Sequence, residues 1–216
     1  MIKAILWDND GVLVDTEKFF FKATQDILAS AGMNLSEELF MEYSLVKGFG
    51  FMDYMKAGGL DPGRCEALRM ARNKRYSELL TGTSTLIEGV SQTLSALHGR
   101  YIMGVVTSSQ REHFDIIHQA TGILDYFHFV ITSDECTQTK PHPEPYLKGL
   151  TRAGVNPDEC VVVEDSARGL MAANRAGIQC LMIPHALSDP NTYQGRYLLL
   201  KSIRDIETAL TCLDKK

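Results

Sequence analysis

The sequence lacks any apolar run long enough to cross a membrane, and its short apolar start, Met1 to Trp7, meets Asp8 before a secretory leader could form. A cytosolic location is therefore the expectation. Cysteine is present without a usable pattern. The five residues Cys65, Cys136, Cys160, Cys180 and Cys212 are odd in number and scattered, and they show no CxxC or Cys/His spacing. That excludes a disulfide framework and a zinc site, and leaves free thiols. An excess of positive charge is also missing: 22 Lys+Arg stand against 27 Asp+Glu, a formal net charge of −5. No basic footprint for nucleic acid exists. An acidic chain that binds an anion must attract it locally, through a metal or a placed lysine. Internal repeats, low-complexity tracts and charge blocks are absent too.

What is there is an ordinary globular composition, 44% hydrophobic over 216 residues, enough for one large domain or one domain with a modest insertion. Strand-like runs occur at Ile2–Trp7, Tyr101–Thr107, Phe127–Thr132, Cys160–Val163 and Gln179–Ile183. Helical stripes separate most of them: Ile87, Val90, Leu94 and Leu97; Phe114 with Ile117; Leu170, Ala173 and Ala176. A last stripe, Ile203, Ile206, Leu210 and Leu213, predicts a closing helix. This alternation predicts an α/β fold, a parallel sheet covered by helices on both faces. Residues 17–84 break the rhythm with helical stripes and no convincing strand. One helix carries Phe20, Ala23, Thr24, Ile27, Leu28 and Ala31 on one face; a second begins near Asp61-Pro62-Gly63 and carries Cys65, Leu68, Tyr76, Leu79 and Leu80. The expected organisation is an α/β core of residues 1–16 and 85–216 with a small all-α insertion at 17–84.

The strongest local signal is Asp8-Asn9-Asp10-Gly11 at the end of the first apolar run. On a continuing strand the two carboxylates point the same way, and Gly11 permits a sharp exit. Two carboxylates about 4 Å apart repel by roughly 4 kcal/mol at an effective dielectric near 20, unless a cation or a shared proton joins them. A solvated turn after a strand would read the same. A second run, Val161-Val162-Val163, ends in Glu164-Asp165 before Ser166-Ala167-Arg168-Gly169. If the strands are parallel neighbours, both acidic pairs lie at carboxyl ends, where open α/β sheets place their ligands. Oxygen ligands without cysteine or histidine favour magnesium over zinc. Taken alone, Glu164 and Asp165 are equally readable as acids complementing a helix N-terminus. Thr107-Ser108-Ser109 and Thr139-Lys140-Pro141 supply hydroxyls, backbone donors and an ammonium at two further strand ends.

In order and position these motifs resemble the haloacid dehalogenase superfamily, in its phosphatase and β-phosphoglucomutase-like branch. The first motif is Asp8 to Glu17, the second Thr107-Ser108-Ser109, the third Lys140-Pro141 and the fourth Glu164-Asp165-Ser166. The resemblance implies a Rossmann-like core with an inserted helical cap, and a Mg²⁺-dependent phosphatase acting on a small phosphorylated metabolite. It implies Asp8 as nucleophile, Asp10 as acid and base, Thr107 and Lys140 as further catalytic groups, and Ser108 and Ser109 at the phosphate. Asp8, the carbonyl of Asp10 and Asp165 would hold the metal, with Glu164 beside or behind them. A phosphomutase is the alternative. A dehalogenase has no need of Asp10 or of a metal-binding acid pair, and an inert binding module is disfavoured because no catalytic position is substituted. Partners are expected to be the metabolite alone, with neither nucleic acid nor membrane, and the protein a monomer or weak dimer.

Smaller features carry less. Lys47-Gly48 is read as a cap loop reaching the substrate, or as an interhelical turn. Arg72 is read as a contact for a second anionic group, against a solvated helix face shared with Lys74 and Arg75. His113, His118 and His142 are expected at the surface or as caps. Phe20 stands where the mutase-like resemblance implies a histidine, which points to water as acceptor. It also begins a stripe that packs.

Overall fold

A computed structural model describes residues 1–40, 51–83, 85–185 and 188–215. The chain divides into two compact units, Met1–Asp15 with Ser84–Lys216, and Thr16–Thr83.

In the larger unit, β1 (Ala4–Trp7) is followed, after the smaller unit, by α5 (Val90–Leu97), β2 (Ile102–Val106), α6 (Arg111–His118), β3 (Phe129–Ile131), α7 (Glu144–Ala153), β4 (Cys160–Glu164), α8 (Ala167–Arg175), β5 (Gln179–Met182), β6 (Tyr197–Leu199) and α9 (Ile206–Leu213). The strands form one six-stranded parallel sheet in the order β3-β2-β1-β4-β5-β6. β1 lies at its centre, with Ala4 opposite Ile102 on one side and Cys160 on the other. All four of its residues are fully buried, as expected of a strand covered on both faces. Ala4 and Leu6 join Val106, Ile131, Val162, Cys180 and Met182 in a core closed by Tyr146 and Leu150 of α7 and by Leu170 and Ala173 of α8. The alternate residues Ile5, Trp7, Met103, Val105, Val161, Val163 and Leu181 are equally buried and point to the opposite face. Burying such a side chain contributes about 1.5–3 kcal/mol each, so a polar substitution on β1 would be among the most damaging in the chain.

The expected α/β fold is therefore observed. In the larger unit, the helix α7 and the strand β6 escaped the sequence reading. α7 opens at Pro143-Glu144-Pro145, and its inner face is Tyr146, Gly149, Leu150 and Ala153, where a glycine and a tyrosine dilute the apolar stripe. β6 is a three-residue edge strand with Leu198 and Leu199 exposed, so its assignment depends on pairing with β5.

The smaller unit consists, among the described residues, of α1 (Glu17–Ser30), α2 (Glu37–Phe40), α3 (Phe51–Ala57) and α4 (Pro62–Leu80), without a strand. Asp61 caps α4, accepting from the backbone N–H of Gly63 at 3.0 Å and Arg64 at 3.1 Å, with Pro62 in the first turn where its missing N–H costs nothing. Leu28, Leu35, Phe40, Met55, Cys65 and Leu68 form its core. All five cysteines of the chain are free thiols.

Candidate active site

Four strand ends of the larger unit meet around Lys140. The β1 ladder continues for one residue, Asp8 N–H donating to Val163 O at 2.9 Å, and then the chain turns. The carbonyl of Asn9 accepts from the N–H groups of Leu13 at 2.8 Å and Val14 at 3.1 Å, so the segment after Asp8 is a tight loop rather than a continuing strand. Gly11 makes the turn at φ 84°. A Cβ there would lie 2.3 Å from Asp165 Oδ2 and 2.8 Å from the His185 ring. Glycine is thus required twice over, for its backbone conformation and for the approach of one acidic strand end to the other.

Lys140 is buried, and its ammonium donates to Asp8 Oδ1 at 2.6 Å, Glu164 Oε1 at 2.7 Å and Val106 O at 2.9 Å, using all three of its N–H groups. Tyr146 closes the position from α7, its ring 4.8 Å from the ammonium. The peptide bond from Lys140 to Pro141 is cis. Burial alone would lower the Lys140 pKa, but Asp8 and Glu164 outweigh it and hold the ammonium above the ordinary lysine range.

Glu164 is saturated. Its Oε1 accepts from Lys140 and from Tyr146 OH at 2.7 Å; its Oε2 accepts from the N–H groups of Asp165 at 3.1 Å and Ser166 at 3.2 Å, and from Ser166 Oγ at 3.0 Å. Burial disfavours its charge, yet Lys140, Tyr146 and Ser166 prevail and keep its pKa below the usual range. Asp8 differs: among the described residues the only hydrogen bond to its carboxylate is the one from Lys140 to Oδ1. Burial, and then the charge of Glu164, push its pKa well above that of an ordinary aspartate, with Lys140 only partly offsetting them.

Asp10 Oδ2 is gripped by hydroxyls from the end of β2, accepting from Ser109 Oγ at 2.8 Å and Thr107 Oγ1 at 3.2 Å, and also from Asn9 Nδ2 at 3.3 Å. Thr107 Oγ1 in turn accepts from Ser109 N–H at 2.9 Å, which orders the turn. Ser108 is exposed between them. Asp165 lies 2.8 Å from His185 Nε2. Ligand atoms of Asp8, Glu164 and Asp165 fall within 4.8 Å of one another. The buried cluster of three carboxylates around one ammonium has an excess of negative charge, and its donors are hard oxygens. That suits a magnesium ion.

A model of haloacid dehalogenase-like hydrolases matches residues 5–183. The chain belongs to the haloacid dehalogenase-like hydrolase family. Pyrophosphatase PpaX of Oceanobacillus iheyensis is 27% identical over 213 residues, 96% of this chain and 96% of that protein. Hexitol phosphatase B of Escherichia coli O157:H7 is 26% identical over 222 residues, 99% and 96%. The crystal structure of β-phosphoglucomutase from Clostridium difficile superposes with a TM-score of 0.80 at 21% identity, covering 100% of this chain and 98% of that one, a likeness of fold.

Within this haloacid dehalogenase-like core, Asp8, Asp10, Thr107, Ser109, Lys140, Glu164 and Asp165 are brought together, with Ser108 at their edge. Lys47 and Gly48 lie outside the described residues. Arg72 is not on a solvated face. It is buried in the helical unit, because it falls on the same stripe as Cys65, Leu68 and Tyr76. Its guanidinium packs 4.3 Å from the Phe20 ring and 5.0 Å from the Phe51 ring, while its Nε donates to Asn73 Oδ1 at 2.9 Å. Arg75 pairs with Asp26 and Glu78. His113 and His118 are also not at the surface; with Phe114 and Ile117 they form the buried face of α6. His142 does cap, accepting from Glu144 N–H at 3.1 Å. Tyr146, Asn9 and His118 were missed as parts of the site. Asn9, between the two aspartates, was the one with a visible signal.

Proposed function

We propose that this phosphatase of the haloacid dehalogenase-like family hydrolyses a small phosphorylated metabolite in a magnesium-dependent reaction, through an acyl phosphate formed transiently on the Asp8 carboxylate. The observation that carries the reading is the asymmetry of the Asp8 carboxylate. Lys140 fixes Oδ1, and Oδ2 has no hydrogen bond among the described residues. A carboxylate held by one oxygen with the other available is oriented for attack. Asp8 Oδ2 bonds to phosphorus as the substrate's ester oxygen leaves and takes a proton from Asp10. Asp10 then accepts a proton from water, which attacks the acyl phosphate, releases inorganic phosphate and restores Asp8.

Thr107 and Ser109 hold Asp10 for these transfers, and Ser108 offers a further donor to the phosphoryl oxygens. Asp8, Asp165 and the Asp10 carbonyl would hold Mg²⁺, with Glu164 behind them because its oxygens are already engaged. When bound, the ion supplies charge that offsets carboxylate–phosphate repulsion and stabilises the transferring oxygens. The helical unit is assigned the part of a cap that reads the leaving group. A cytosolic enzyme acting as a monomer or weak dimer fits this reading, and no described helix is long and apolar enough to cross a membrane.

Water rather than a sugar hydroxyl is proposed as acceptor. Phe20 sits edge-on to Tyr76 at 5.3 Å within its own unit, so no imidazole stands there to position a hydroxyl. The test is a phosphate-release screen across sugar phosphates, nucleotides and other phosphorylated metabolites, with and without Mg²⁺, beside Asp8→Asn. Mg²⁺-dependent release lost in Asp8→Asn is expected; release that survives the substitution overturns the proposal. Efficient conversion of β-glucose 1-phosphate to glucose 6-phosphate with a bisphosphate primer would favour the phosphomutase instead.

A further inference from the structure

The loop between the two catalytic-type aspartates is tied to α6 by a buried chain of hydrogen bonds. Asn9 is fully buried. Its Oδ1 lies 2.8 Å from His118 Nε2, and its Nδ2 donates to Asp10 Oδ2 at 3.3 Å. His118 Nδ1 lies 2.9 Å from Thr121 Oγ1. Chemistry fixes the direction of every link. The Asn9 amide must turn its nitrogen to the Asp10 carboxylate, since its carbonyl there would be repelled; that leaves Oδ1 facing His118, so Nε2 must carry the proton. Nδ1 is then the acceptor, and Thr121 Oγ1–H donates to it. The imidazole is neutral in this arrangement, one nitrogen giving and the other receiving. Burial agrees, pushing the His118 pKa down to about 4. Phe114, one turn earlier on α6, packs its ring 4.3 Å from the imidazole and holds its plane.

We infer that His118 is a positioning residue for the proton transfer, acting through Asn9 to fix the rotation of the Asp10 carboxyl. With Ser109, Thr107 and Asn9 all converging on Oδ2, the carboxyl cannot turn, and the proton delivered to the leaving oxygen sits on Oδ1. The two hydroxyls come from the end of β2 and can rotate. The Asn9 amide has a fixed plane, and His118 is what keeps it fixed. This inference rests on the proposed acid role of Asp10.

The experiment separates protonation from general damage. A good leaving group departs without a proton and a poor one does not, so loss of Asp10 alignment should fall selectively on poor leaving groups. kcat/KM, which reports the steps through departure of the leaving group, is measured with Mg²⁺ for p-nitrophenyl phosphate, phenyl phosphate and benzyl phosphate. The proteins are wild type, His118→Leu, His118→Gln, Asn9→Leu and Asp10→Asn. Glutamine keeps an N–H near the place of Nε2; leucine keeps bulk alone. The expected result is that His118→Leu and Asn9→Leu each lower kcat/KM for benzyl phosphate by about 10-fold or more while p-nitrophenyl phosphate falls less than about threefold, and that His118→Gln restores most of the loss. Asp10→Asn should show the same selectivity more strongly. An equal fall for all three esters, or no fall beside a selective one in Asp10→Asn, overturns the role of His118 and leaves that of Asp10 standing. If Asp10→Asn is itself unselective, the acid role of Asp10 falls and this inference falls with it. Asn9→Leu leaves His118 in place, so the test does not depend on one substitution folding.

Discussion

Two neighbouring strands of this sheet end in acids, and they use them in opposite ways. At the end of β4, Glu164 accepts from Lys140, Tyr146, Ser166 and two backbone N–H groups, so every lone pair facing the interior is occupied. At the end of β1, the Asp8 carboxylate accepts, among the described residues, one hydrogen bond, from Lys140. Both are buried and both touch the same ammonium. The difference is in saturation: a satisfied buried carboxylate would have to break its bonds before any reaction, whereas one with an oxygen unengaged among the described residues fits the nucleophile proposed above. Lys140 binds the two roles together.

The comparison breaks most sharply at Asp8, the proposed nucleophile. Asp8→Asn should lower turnover by about 10³-fold or more, because a carboxamide is nearly the same size but a poor nucleophile. A melting temperature close to wild type with activity below a tenth is the expected pair of readings, and retained activity would erase the distinction. Glu164→Gln should do the reverse, costing about 3 kcal/mol of stability, since an amide in its place turns an NH2 group toward buried donors that Glu164 alone satisfies, Tyr146 OH, Ser166 Oγ and two backbone N–H groups besides Lys140. Chemical denaturation measures it. Against these, Asp165→Ala should raise the Mg²⁺ concentration needed for half-maximal activity more than Glu164→Ala does, and in chelator it should melt above wild type, because it relieves repulsion among carboxylates. A lower melt in chelator would mean that Asp165 is satisfied in the manner of Glu164.

A subtler effect concerns Gly169 of α8. In an ordinary helix Gly→Ala stabilises by about 1 kcal/mol. Here a Cβ would stand 1.7 Å from Glu164 Oε1 and 1.8 Å from its carboxyl carbon. Gly169→Ala should therefore destabilise by about 2 kcal/mol net, read by denaturation, as crowding outweighs propensity. The smallest effect is expected with acid. The His118 pKa is lowered by burial to about 4, while Asp10 and Asp115 pull it back upward. A depressed histidine lends stability above its unfolded value, near 6.5, and loses it as pH falls toward 4. Wild type should lose part of its melting temperature over that window, and His118→Gln should lose less.

The strand ends were legible because composition and position agree there: an apolar run, then acids, then glycine, repeated at β1 and β4. That reading pointed to Asp8, Asp10, Thr107, Ser109, Lys140, Glu164 and Asp165. It did not reveal which carboxylate is saturated. The saturation of Glu164 comes from Tyr146, 18 residues away along the chain, and from Ser166, which turns back to it. His118 was misread for a similar reason. A histidine at the end of an amphipathic helix looks like a cap, and only the buried side chain of Asn9 shows what it faces. Arg72 was read as a contact for an anionic group or as part of a solvated helix face, and the second reading failed because the stripe through Cys65, Leu68 and Tyr76 already ran through it.

The central place of β1 has a bearing on how the chain assembles. Ala4 is paired to Ile102 and to Cys160, so the first strand to be made has both of its neighbours far downstream. Closing loops of that size is costly in entropy and slow, whereas α1 and α4 meet across a much shorter separation in a unit of their own. The helical unit is expected to gain protection first and β1 last, an order that pulsed hydrogen exchange during refolding would reverse if β1 were protected early. Asp8, the proposed nucleophile, would then ripen late, appearing only after the last-made half of the sheet has closed around it.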